Sequence, residues 1–285
     1  MLEEAHLAAG WQGRLALGFE LRGERTVLAR REHRGPLGVQ RPFYEREDPG
    51  TCQVYLLHPP GGLVGGDDLS IDVQLGPGAR ALLTTPAATK LYRSQGATAA
   101  QRVQLRAAQG ARIEWLPQET IAYDGARAAL ATRVELAQDA ELIAWEVTCL
   151  GRPACQERFA HGALDQRLEV SRAGTPLMPL VLERARYRGG AAGMDGAWGL
   201  GGHAVSGTLL CVTAHDPEPL LPELRALLAA RAGEEAVCSR LAHALCCRYL
   251  GPSTERALSA FRAAWGLLRQ RCFALPAAAP RIWAT

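Results

Sequence analysis

Three stretches of the chain repeat one another at steps of about 30 residues. They are Ile71 to Leu83, Gln101 to Leu116 and Thr132 to Trp145, and a looser fourth copy runs from Gln166 to Leu177. In each one an alternating strand pattern leads through a turn to a second strand. A β-repeat of this length buries its apolar face only by stacking on its neighbours. The chain is therefore predicted to be mainly β, with a stacked, β-solenoid-like body.

The repeats align on a hydrophobic triplet and on the turn that follows it. The triplets are Val73-Gln74-Leu75, Val103-Gln104-Leu105 and Val134-Glu135-Leu136, and the turns place Gly78, Gly110 or Asp139 just before an alanine. A two-sheet β-sandwich also produces hairpins at regular intervals, so it stays open as the alternative. The length and the strand–turn–strand order favour the stacked architecture.

The strand patterns extend from about residue 14 to residue 213, and helical patterns follow over about 218–273. A Gly-rich interval at 188–203 is predicted to be a flexible loop. In the helical part, Pro222 fits a first helical turn, Gly233 a helix end and Ser253 an N-cap. Two or three C-terminal helices are therefore expected to pack against the β-body. No linker separates domains, so residues 1–285 are predicted to form one domain.

The C-terminal tail, residues 274–285, carries an unusual apolar end. Ile282 and Trp283 expose a large apolar area unless they dock on a surface. Aromatic residues are favoured both in cores and at interfaces. The tail is expected either to pack on its own body or to anchor another protein.

Composition excludes several classes of function. The net charge is +3 over 285 residues with no dense basic block, so nucleic-acid binding is not expected. The N-terminus is acidic and no apolar run approaches the roughly 18 residues of a membrane span, so the chain is predicted to be cytoplasmic. Eight scattered cysteines form no CxxC pair, which argues against structural zinc. GxSxG, HExxH and GxxxxGK[ST] motifs are also missing.

The acids that stand at or beside turns are the candidate chemistry. They are Asp67, Asp68, Glu119, Asp124 and Glu146. If they face an inner cavity they must be paired, metal-bound or hydrated. Oxygen ligands bind divalent transition-metal ions weakly compared with nitrogen and sulfur, and weak binding permits release, so such acids would suit a transient cation path. The alternative for each residue is a solvated turn acid.

One possible soft-ligand cluster lies in the predicted helical part. His243, Cys246 and Cys247 have the i, i+3, i+4 spacing that places side chains on one helical face. Imidazole and thiolate ligands so placed could hold nickel or zinc. Leucines and alanines surround them, which favours a buried helix face instead.

Four segments carry a resemblance to a known family. HPPGGLVGGDDL (His58 to Leu69), TTPAATKLYRS (Thr84 to Ser94), EWLPQETIAYDGA (Glu114 to Ala126) and RIWAT (Arg281 to Thr285) occur in this order. Together they resemble the UreD (UreH) family of urease accessory proteins, and the resemblance covers the chain from about Arg30 to its last residue.

This resemblance implies a non-catalytic chaperone or scaffold for nickel insertion into urease. The implied fold is mainly β with a small helical part. The implied partners are the urease apoprotein, the helical protein UreF and, through UreF, the GTPase UreG. A water-filled passage has been proposed as the family's nickel route. No tightly bound cofactor is implied, only transient Ni²⁺, and no firm metal site follows.

The resemblance also singles out residues expected to line the passage or to contact partners. Besides the five acids, they are Gly65, Gly66, Thr84, Thr85, Lys90, Tyr92, Arg93 and Arg152. From the residues alone, Lys90, Tyr92 and Arg93 could pair with the acids, contact a partner or simply be solvated. The pair Cys246-Cys247 and His243 match no fixed pattern of the family.

Two other functions remain as alternatives. Carboxylates at the turns of stacked strands, such as Asp67, Asp68 or Asp124, could serve a β-solenoid carbohydrate lyase or hydrolase. The low aromatic content of 6% argues against sugar binding. The third possibility is a purely structural adaptor that never contacts metal.

Overall fold

The structure is a computed structural model that describes residues 10–175, 178–241 and 244–284. The strands, in chain order, are β1 (Gln12–Arg22), β2 (Arg25–Arg34), β3 (Gly38–Val39), β4 (Phe43–Glu45), β5 (Asp48–Leu57), β6 (Gly62–Leu63), β7 (Asp68–Leu75), β8 (Arg80–Thr84), β9 (Thr89–Leu91), β10 (Ala99–Ala107), β11 (Arg112–Trp115), β12 (Thr120–Ala122), β13 (Arg127–Leu136), β14 (Glu141–Arg152), β15 (Glu157–Arg158), β16 (Ala163–Arg172), β17 (Val181–Arg188), β18 (Val205–Val212), β19 (Ala236–Leu241) and β20 (Ala244–Gly251). The helices are α1 (Ala192–Asp195), α2 (Leu221–Ala232) and α3 (Thr254–Cys272).

The strands form two facing sheets, and each of the first three sequence repeats gives one strand to each sheet. The looser fourth copy gives β16 to the seven-stranded sheet. The seven-stranded sheet has the order β17-β16-β13-β10-β7-β1-β2, and the main path of the thirteen-stranded sheet is β19-β20-β18-β14-β11-β8-β5-β3. Strands β7, β10, β13 and β16 are parallel neighbours in the first sheet, as are β5, β8, β11 and β14 in the second. The predicted mainly β, stacked, solenoid-like body is confirmed.

The repeated turns stack as the strands do. Gly78 and Gly110 both have φ of 66°, a left-handed conformation that favours glycine. The Gly78 amide donates to the carbonyl of Gln109 at 2.9 Å, and the Gly110 amide donates to Asp139 Oδ1 at 2.9 Å. The turn residues found in the sequence therefore hold successive layers together along one side of the stack.

A helical layer covers the outer face of the thirteen-stranded sheet. Helix α3 begins as predicted, with Ser253 Oγ accepting a hydrogen bond from the amide of Arg256 at 3.2 Å. Its Phe261, Trp265 and Leu268 are buried in a second hydrophobic core with side chains of α2. In α2 a proline stands in the first turn and Gly233 follows the last residue, also as predicted. None of the helices in the described ranges is both long and apolar enough to cross a bilayer.

The prediction of helix across residues 235–250 is wrong. This segment forms the antiparallel hairpin β19–β20, in register from Ala236 opposite Tyr249 to Leu241 opposite Ala244. Strand β20 is buried on both faces, so its sequence is an almost continuous apolar run without the alternation of a half-buried strand. Hydrophobic periodicity cannot distinguish such a run from a buried helix. Among the described residues after 217, the helical part consists of two α-helices, α2 and α3.

The hairpin also changes the proposed soft-ligand cluster. Because successive side chains of a strand point to opposite faces, Cys246 lies in the core between the sheets and Cys247 in the core under the helices. His243 lies outside the described residues. The helical face expected to unite the three side chains is therefore not formed.

The Gly-rich interval has a hydrogen-bonded framework rather than the predicted flexible loop. The amide of Leu200 donates to the Gly193 carbonyl at 3.0 Å, and the amide of Gly202 to the Met194 carbonyl at 2.9 Å. Met194 and Leu200 pack against the core, whereas Trp198 between them is fully exposed. The loop presents one aromatic side chain to solvent.

The C-terminal tail packs on its own body. The Trp283 ring lies 5.4 Å from Trp145 and 5.2 Å from Trp265, and the Arg262 guanidinium lies 5.1 Å from its centroid. Its indole N–H donates to Thr84 Oγ1 at 3.1 Å. Of the two docking modes expected for the tail, the structure places it on the chain itself.

Replacing Trp283 by alanine is expected to lower the free energy of unfolding by about 2 kcal/mol, less than a core tryptophan because the ring is only half-buried. Urea unfolding followed by circular dichroism measures the loss. Trp198→Ala is the matched control, because this fully exposed ring should change stability by less than about 0.5 kcal/mol. Equal losses in the two variants would contradict the docking of the tail.

Candidate functional site

Polar side chains interrupt the core between the two sheets at its middle. Leu142 and Ala144 of β14 point into this core. Because side chains alternate along a strand, Glu146 and Thr148 point to the same side of the sheet. Thr132 Oγ1, from the facing sheet, donates to Glu146 Oε1 at 2.7 Å. Thr148 Oγ1 likewise donates to Gln166 Oε1 at 3.0 Å. A polar belt thus links the two sheets where the repeat pattern predicts apolar packing.

Two cavities meet at this polar belt. One has a volume of about 80 Å³ and is lined by Thr85, His58 and Thr132, among others. The other has a volume of about 530 Å³ and reaches the edge strand β17 and the exposed Trp198. Both are lined by Glu146 and Gln166. Glu146 is therefore the carboxyl group shared by the two hollows.

The smaller cavity continues toward the opposite edge of the molecule. It shares Leu37 and Leu57 with a third hollow of about 380 Å³, which Arg31 and His33 also line. Burial lowers the pKa of His58, although the nearby Asp67 charge acts in the opposite direction. Three hollows therefore follow one another across the width of the sheets.

The environment of Glu146 favours its neutral form. Burial between the sheets raises the pKa of Glu146 to about 7, with the Thr132 hydrogen bond opposing the rise and the Glu183 charge adding to it. Part of its side chain remains accessible from the cavities. Near neutral pH both the protonated and the ionised form of this carboxyl group are therefore populated.

An ion pair stands where the larger cavity reaches the sheet edges. Arg248 Nη1, on β20, donates to Glu183 Oε2, on β17, at 2.9 Å. The pair joins the two sheets and raises the pKa of Arg248. The lining of this cavity thus includes two acidic residues, Glu146 and Glu183, and two basic ones, Arg184 and Arg248.

The other four predicted acids lie elsewhere. Asp67 is buried, and its two oxygens accept the amides of Trp11 at 2.8 Å and Val64 at 2.9 Å, which fixes the turn before β7. Asp68 forms an ion pair with Arg102 at 2.6 Å on the outer face of the seven-stranded sheet. Neither carboxylate lines the cavities described above.

Asp124 organises a cluster of loops at one end of the strands. Its Oδ1 accepts the amides of Ala160 at 2.9 Å and His161 at 2.7 Å, and Arg93 Nη2 lies 3.4 Å from its Oδ2. Burial alone would raise the pKa of Asp124, but the hydrogen bonds from His161 and Ala160 hold it below its usual value. Arg152 is paired in the same region with Glu157. Asp124, Arg93 and Arg152 therefore belong to one network of hydrogen bonds and ion pairs that holds these loops together.

Glu119 lies toward the helical layer. Burial, and then the Glu119 charge, raise the pKa of the Cys149 thiol to about 11. The carbonyl of Glu119 accepts the amide of Thr89 at 2.9 Å, just before Lys90 in β9. The Tyr92 ring meets the edge of Tyr123 with centroids 5.3 Å apart. Neither Glu119 nor Tyr92 lines the two cavities that Glu146 shares.

The threonines and glycines of the motifs shape the backbone. Thr84 Oγ1 donates to the Leu116 carbonyl at 2.5 Å, and Thr85 Oγ1 accepts the Gln118 amide at 2.9 Å, so the two motif segments are fixed to each other. A Cβ at Gly65 would lie 2.3 Å from Ser94 Oγ. Gly66, beside it, has φ of 94°. Both positions thus require glycine.

Sequence reasoning missed the polar residues that face Glu146. They are Gln101, Thr132, Gln166, Glu183 and Arg248. A signal was present for three of them: Gln101, Thr132 and Gln166 stand in the inward phase of strands whose other inward residues are mostly Ala, Val and Leu. A polar residue in that phase in three neighbouring repeats indicates a hydrated interior. Glu183 and Arg248 gave no such signal.

No group of three or more His, Cys, Asp or Glu side chains in the described part of the chain is arranged to hold a metal ion. The polar groups that line the cavities are scattered: the carboxylates of Glu146 and Glu183 and, in the smaller cavity, the imidazole of His58. The fold and the cavity define a stacked β-protein with a helical cover and a polar hollow at its centre.

The chain belongs to the UreD family of urease accessory proteins. The family's sequence model, UreD urease accessory protein, matches residues 12–284. A urease accessory protein UreD from Alkalilimnicola ehrlichii is 46% identical over 282 residues, which cover 99% of this chain and 94% of that protein. One from Azoarcus sp. strain BH72 is 47% identical over 276 residues, covering 97% and 95%. One from Pseudomonas putida KT2440 is 43% identical over 284 residues, covering 100% and 98%.

Family membership confirms the resemblance drawn from the four motif segments. It makes the chain an accessory protein of urease, a helper and not itself an enzyme. The alternative of a carbohydrate lyase or hydrolase acting through turn carboxylates is therefore set aside.

Proposed function

We propose that this protein is a non-catalytic chaperone and scaffold for nickel insertion into apo-urease, acting in a complex with UreF and the GTPase UreG. We further propose that Ni²⁺, as cargo, passes through the cavities between the sheets. The observation that carries this proposal is the position of Glu146, the one predicted acid that lines both adjoining hollows. The step is placed in the cytoplasm, where the chain's eight free thiols stay reduced.

The chemistry of the belt suits transient binding. Carboxylate, hydroxyl and amide oxygens around Glu146 can replace part of the hydration shell of a divalent cation. With a pKa of about 7, Glu146 loses its proton readily when a cation approaches and regains it when the cation leaves. Glu183 supplies a second carboxylate, which Arg248 neutralises in the absence of cargo. Weak, exchangeable ligands favour release to a partner.

The accessory role itself is tested in cells that lack this gene. At limiting nickel, such cells are expected to accumulate urease protein of low activity and low nickel content. Co-purification of the chain with apo-urease and UreF is expected from wild-type cells. Normal urease maturation without the gene would reject the proposed function.

The route is tested separately with Glu146→Gln, which keeps the side chain's shape and removes its charge. Urease matured with this variant is expected to contain several-fold less nickel, measured by mass spectrometry of the purified enzyme, while the complex still assembles. Glu135→Gln is the matched control, because Glu135 is half-exposed on the outer face of the seven-stranded sheet. Unchanged nickel content in the Glu146 variant would favour a structural adaptor that never contacts metal.

A further inference from the structure

The larger cavity opens between the last strands of the two sheets. Strand β17 ends the seven-stranded sheet, and β18, β20 and β19 end the thirteen-stranded one. Residues of β17, β18 and β20 line the cavity. One ion pair spans the gap between the sheets: Arg248 Nη1 donates to Glu183 Oε2 at 2.9 Å, and Arg248 Nη2 donates to the other carboxylate oxygen. The sheets are thus joined at this opening by a side-chain contact and not by strand pairing.

The basic partner of this ion pair is more exposed than the acidic one. The side chain of Arg248 is 49% exposed, and that of Glu183 is 26% exposed. On the neighbouring strands Arg248 stands opposite Thr208 and Val237, which carry no charge. Ion pairs with this degree of exposure contribute little to stability. The guanidinium can therefore turn toward solvent at a small cost, and this movement leaves the Glu183 carboxylate without its counter-ion.

Glu183 also faces the interior of the cavity. It lines the cavity together with Glu146, and its charge contributes to the raised pKa of Glu146. The side chains of Thr148 and Gln166 line the same space. A divalent cation held there is attracted by two carboxylates and repelled by the guanidinium of Arg248. The balance of these charges decides how tightly the cavity holds a cation.

An arginine at this position offers only one way to free the carboxylate. The guanidinium keeps its proton at every physiological pH, unlike the ammonium group of a buried lysine. Its charge therefore leaves Glu183 only when the Arg248 side chain moves. Because the two oxygens of Glu183 accept both branches of the guanidinium, a divalent cation must displace that contact in order to bind there.

We propose that Arg248 is a tethered competitor of the divalent cation for Glu183, and that this competition keeps the binding of the cargo weak. The inference rests on the proposed passage of Ni²⁺ between the sheets and adds the group that promotes release. When a cation reaches Glu183, the guanidinium turns to solvent. Its return restores the neutral ion pair as the cation moves on. Arg248 contacts the carboxylate and not the cation, so it acts through Glu183.

The test is calorimetric titration of nickel chloride into the full-length protein at pH 8, above the pKa of Glu146. Arg248→Gln removes the competitor, and it is expected to tighten Ni²⁺ binding roughly tenfold because a nearby positive charge is lost. Glu183→Gln is expected to weaken the binding. Arg248→Lys keeps the charge and should bind Ni²⁺ nearly as weakly as the wild type.

Arg184→Gln is the matched control for the loss of one positive charge. Arg184 lines the same cavity, but it is exposed and stands opposite Arg167 on the outer face of the seven-stranded sheet. Since solvent and salt screen an exposed charge, this substitution should change the Ni²⁺ affinity by less than about threefold.

A double-mutant cycle separates competition for Glu183 from a general effect of charge. In the Glu183→Gln background, Arg248→Gln should no longer tighten Ni²⁺ binding. Ni²⁺ bound elsewhere on the chain is measured with the Glu146→Gln, Glu183→Gln double variant and subtracted. Unchanged or weaker binding by Arg248→Gln, or equal tightening with and without Glu183, would overturn the proposal. Arg248→Met removes the same charge and replaces the glutamine variant if that one does not fold.

The nickel content of urease distinguishes this proposal from the proposed function. Urease matured with Arg248→Gln is expected to contain several-fold less nickel, because the cation is released more slowly. If Glu146→Gln lowers the nickel content but Arg248→Gln leaves the Ni²⁺ affinity unchanged, the route stands and the competition is wrong. If the affinity follows the variants but the nickel content of urease responds to none of them, the competition stands and the route is wrong.

Discussion

Replacing Arg269 by methionine is expected to lower the free energy of unfolding by about 3–5 kcal/mol, the cost of stranding buried charge. Arg269 is fully buried, and its Nη2 lies 2.6 Å from Asp48 while its Nε lies 3.1 Å from Glu114. Both carboxylates are buried as well, and the Trp265 indole donates to Glu114. Without the guanidinium, two carboxylates would face an apolar core.

Arg271→Met is the matched control for this substitution. Arg271 stands two residues further along α3 and pairs with Glu223 at 3.2 Å, but both side chains are about half-exposed. Such a pair contributes less than about 1 kcal/mol. Chemical denaturation at neutral pH compares the two variants, and similar midpoints would contradict a structural role for the buried network.

The pH dependence of the Arg269 variant gives an independent readout. Burial raises the pKa of Glu114, and the Arg269 charge opposes that rise. Removing Arg269 therefore favours the protonated carboxyl in the folded state, so the deficit should shrink as the pH falls. Adding Glu114→Gln to Arg269→Met should recover part of the lost stability at neutral pH, because one stranded charge is removed.

Glu146→Gln is expected to stabilise the protein at alkaline pH. The folded-state pKa of Glu146 is about 7, against 4.5 for an ordinary glutamate. Between these values the unfolded chain has released this proton and the folded chain retains it, so stability falls as the pH rises. The difference corresponds to at most about 3 kcal/mol once both states are ionised, and water in the cavity reduces it.

Unfolding free energies of the wild type and of Glu146→Gln, measured from pH 4 to pH 8, test this expectation. The curves should meet near pH 4 and separate progressively as the pH rises above about 4.5, with the variant more stable. Glu135→Gln should keep the wild-type pH dependence. Parallel wild-type and Glu146→Gln curves would mean that Glu146 is ionised in the folded protein as it is in water. A gain in stability with a loss of nickel transfer would identify Glu146 as a position held for function at the expense of stability.

Local patterns were enough to predict the parts of the fold that repeat or that carry caps. The regular spacing of Val73, Val103 and Val134 predicted the stacked strands, and Ser253 predicted the start of α3. Strand β20 of the hairpin could not be distinguished from a helix because its burial on both faces depends on the layers around it. Propensity and periodicity do not contain that information.

The candidate site was predictable only in part. Glu146 was predicted to stand at or beside a turn, like the other four acids, but it lies inside β14. The structure separates it from Asp67 and Asp124, which hold turns by accepting backbone amides. Carboxylates near turns commonly take that role, and sequence position alone does not tell the two apart. Glu183 and Arg248 are 65 residues apart and meet only because the edges of the two sheets close on each other.

Thr84 and Thr85 have a practical consequence for anyone who modifies the chain terminus. Thr84 takes the indole hydrogen bond of Trp283 on one side of the sheet, and its neighbour Thr85 lines the hollow on the other. Only the thickness of one strand separates the tail from that hollow. A truncation that removes Trp283 would thus take away a hydrogen bond from the strand that forms part of the cavity wall.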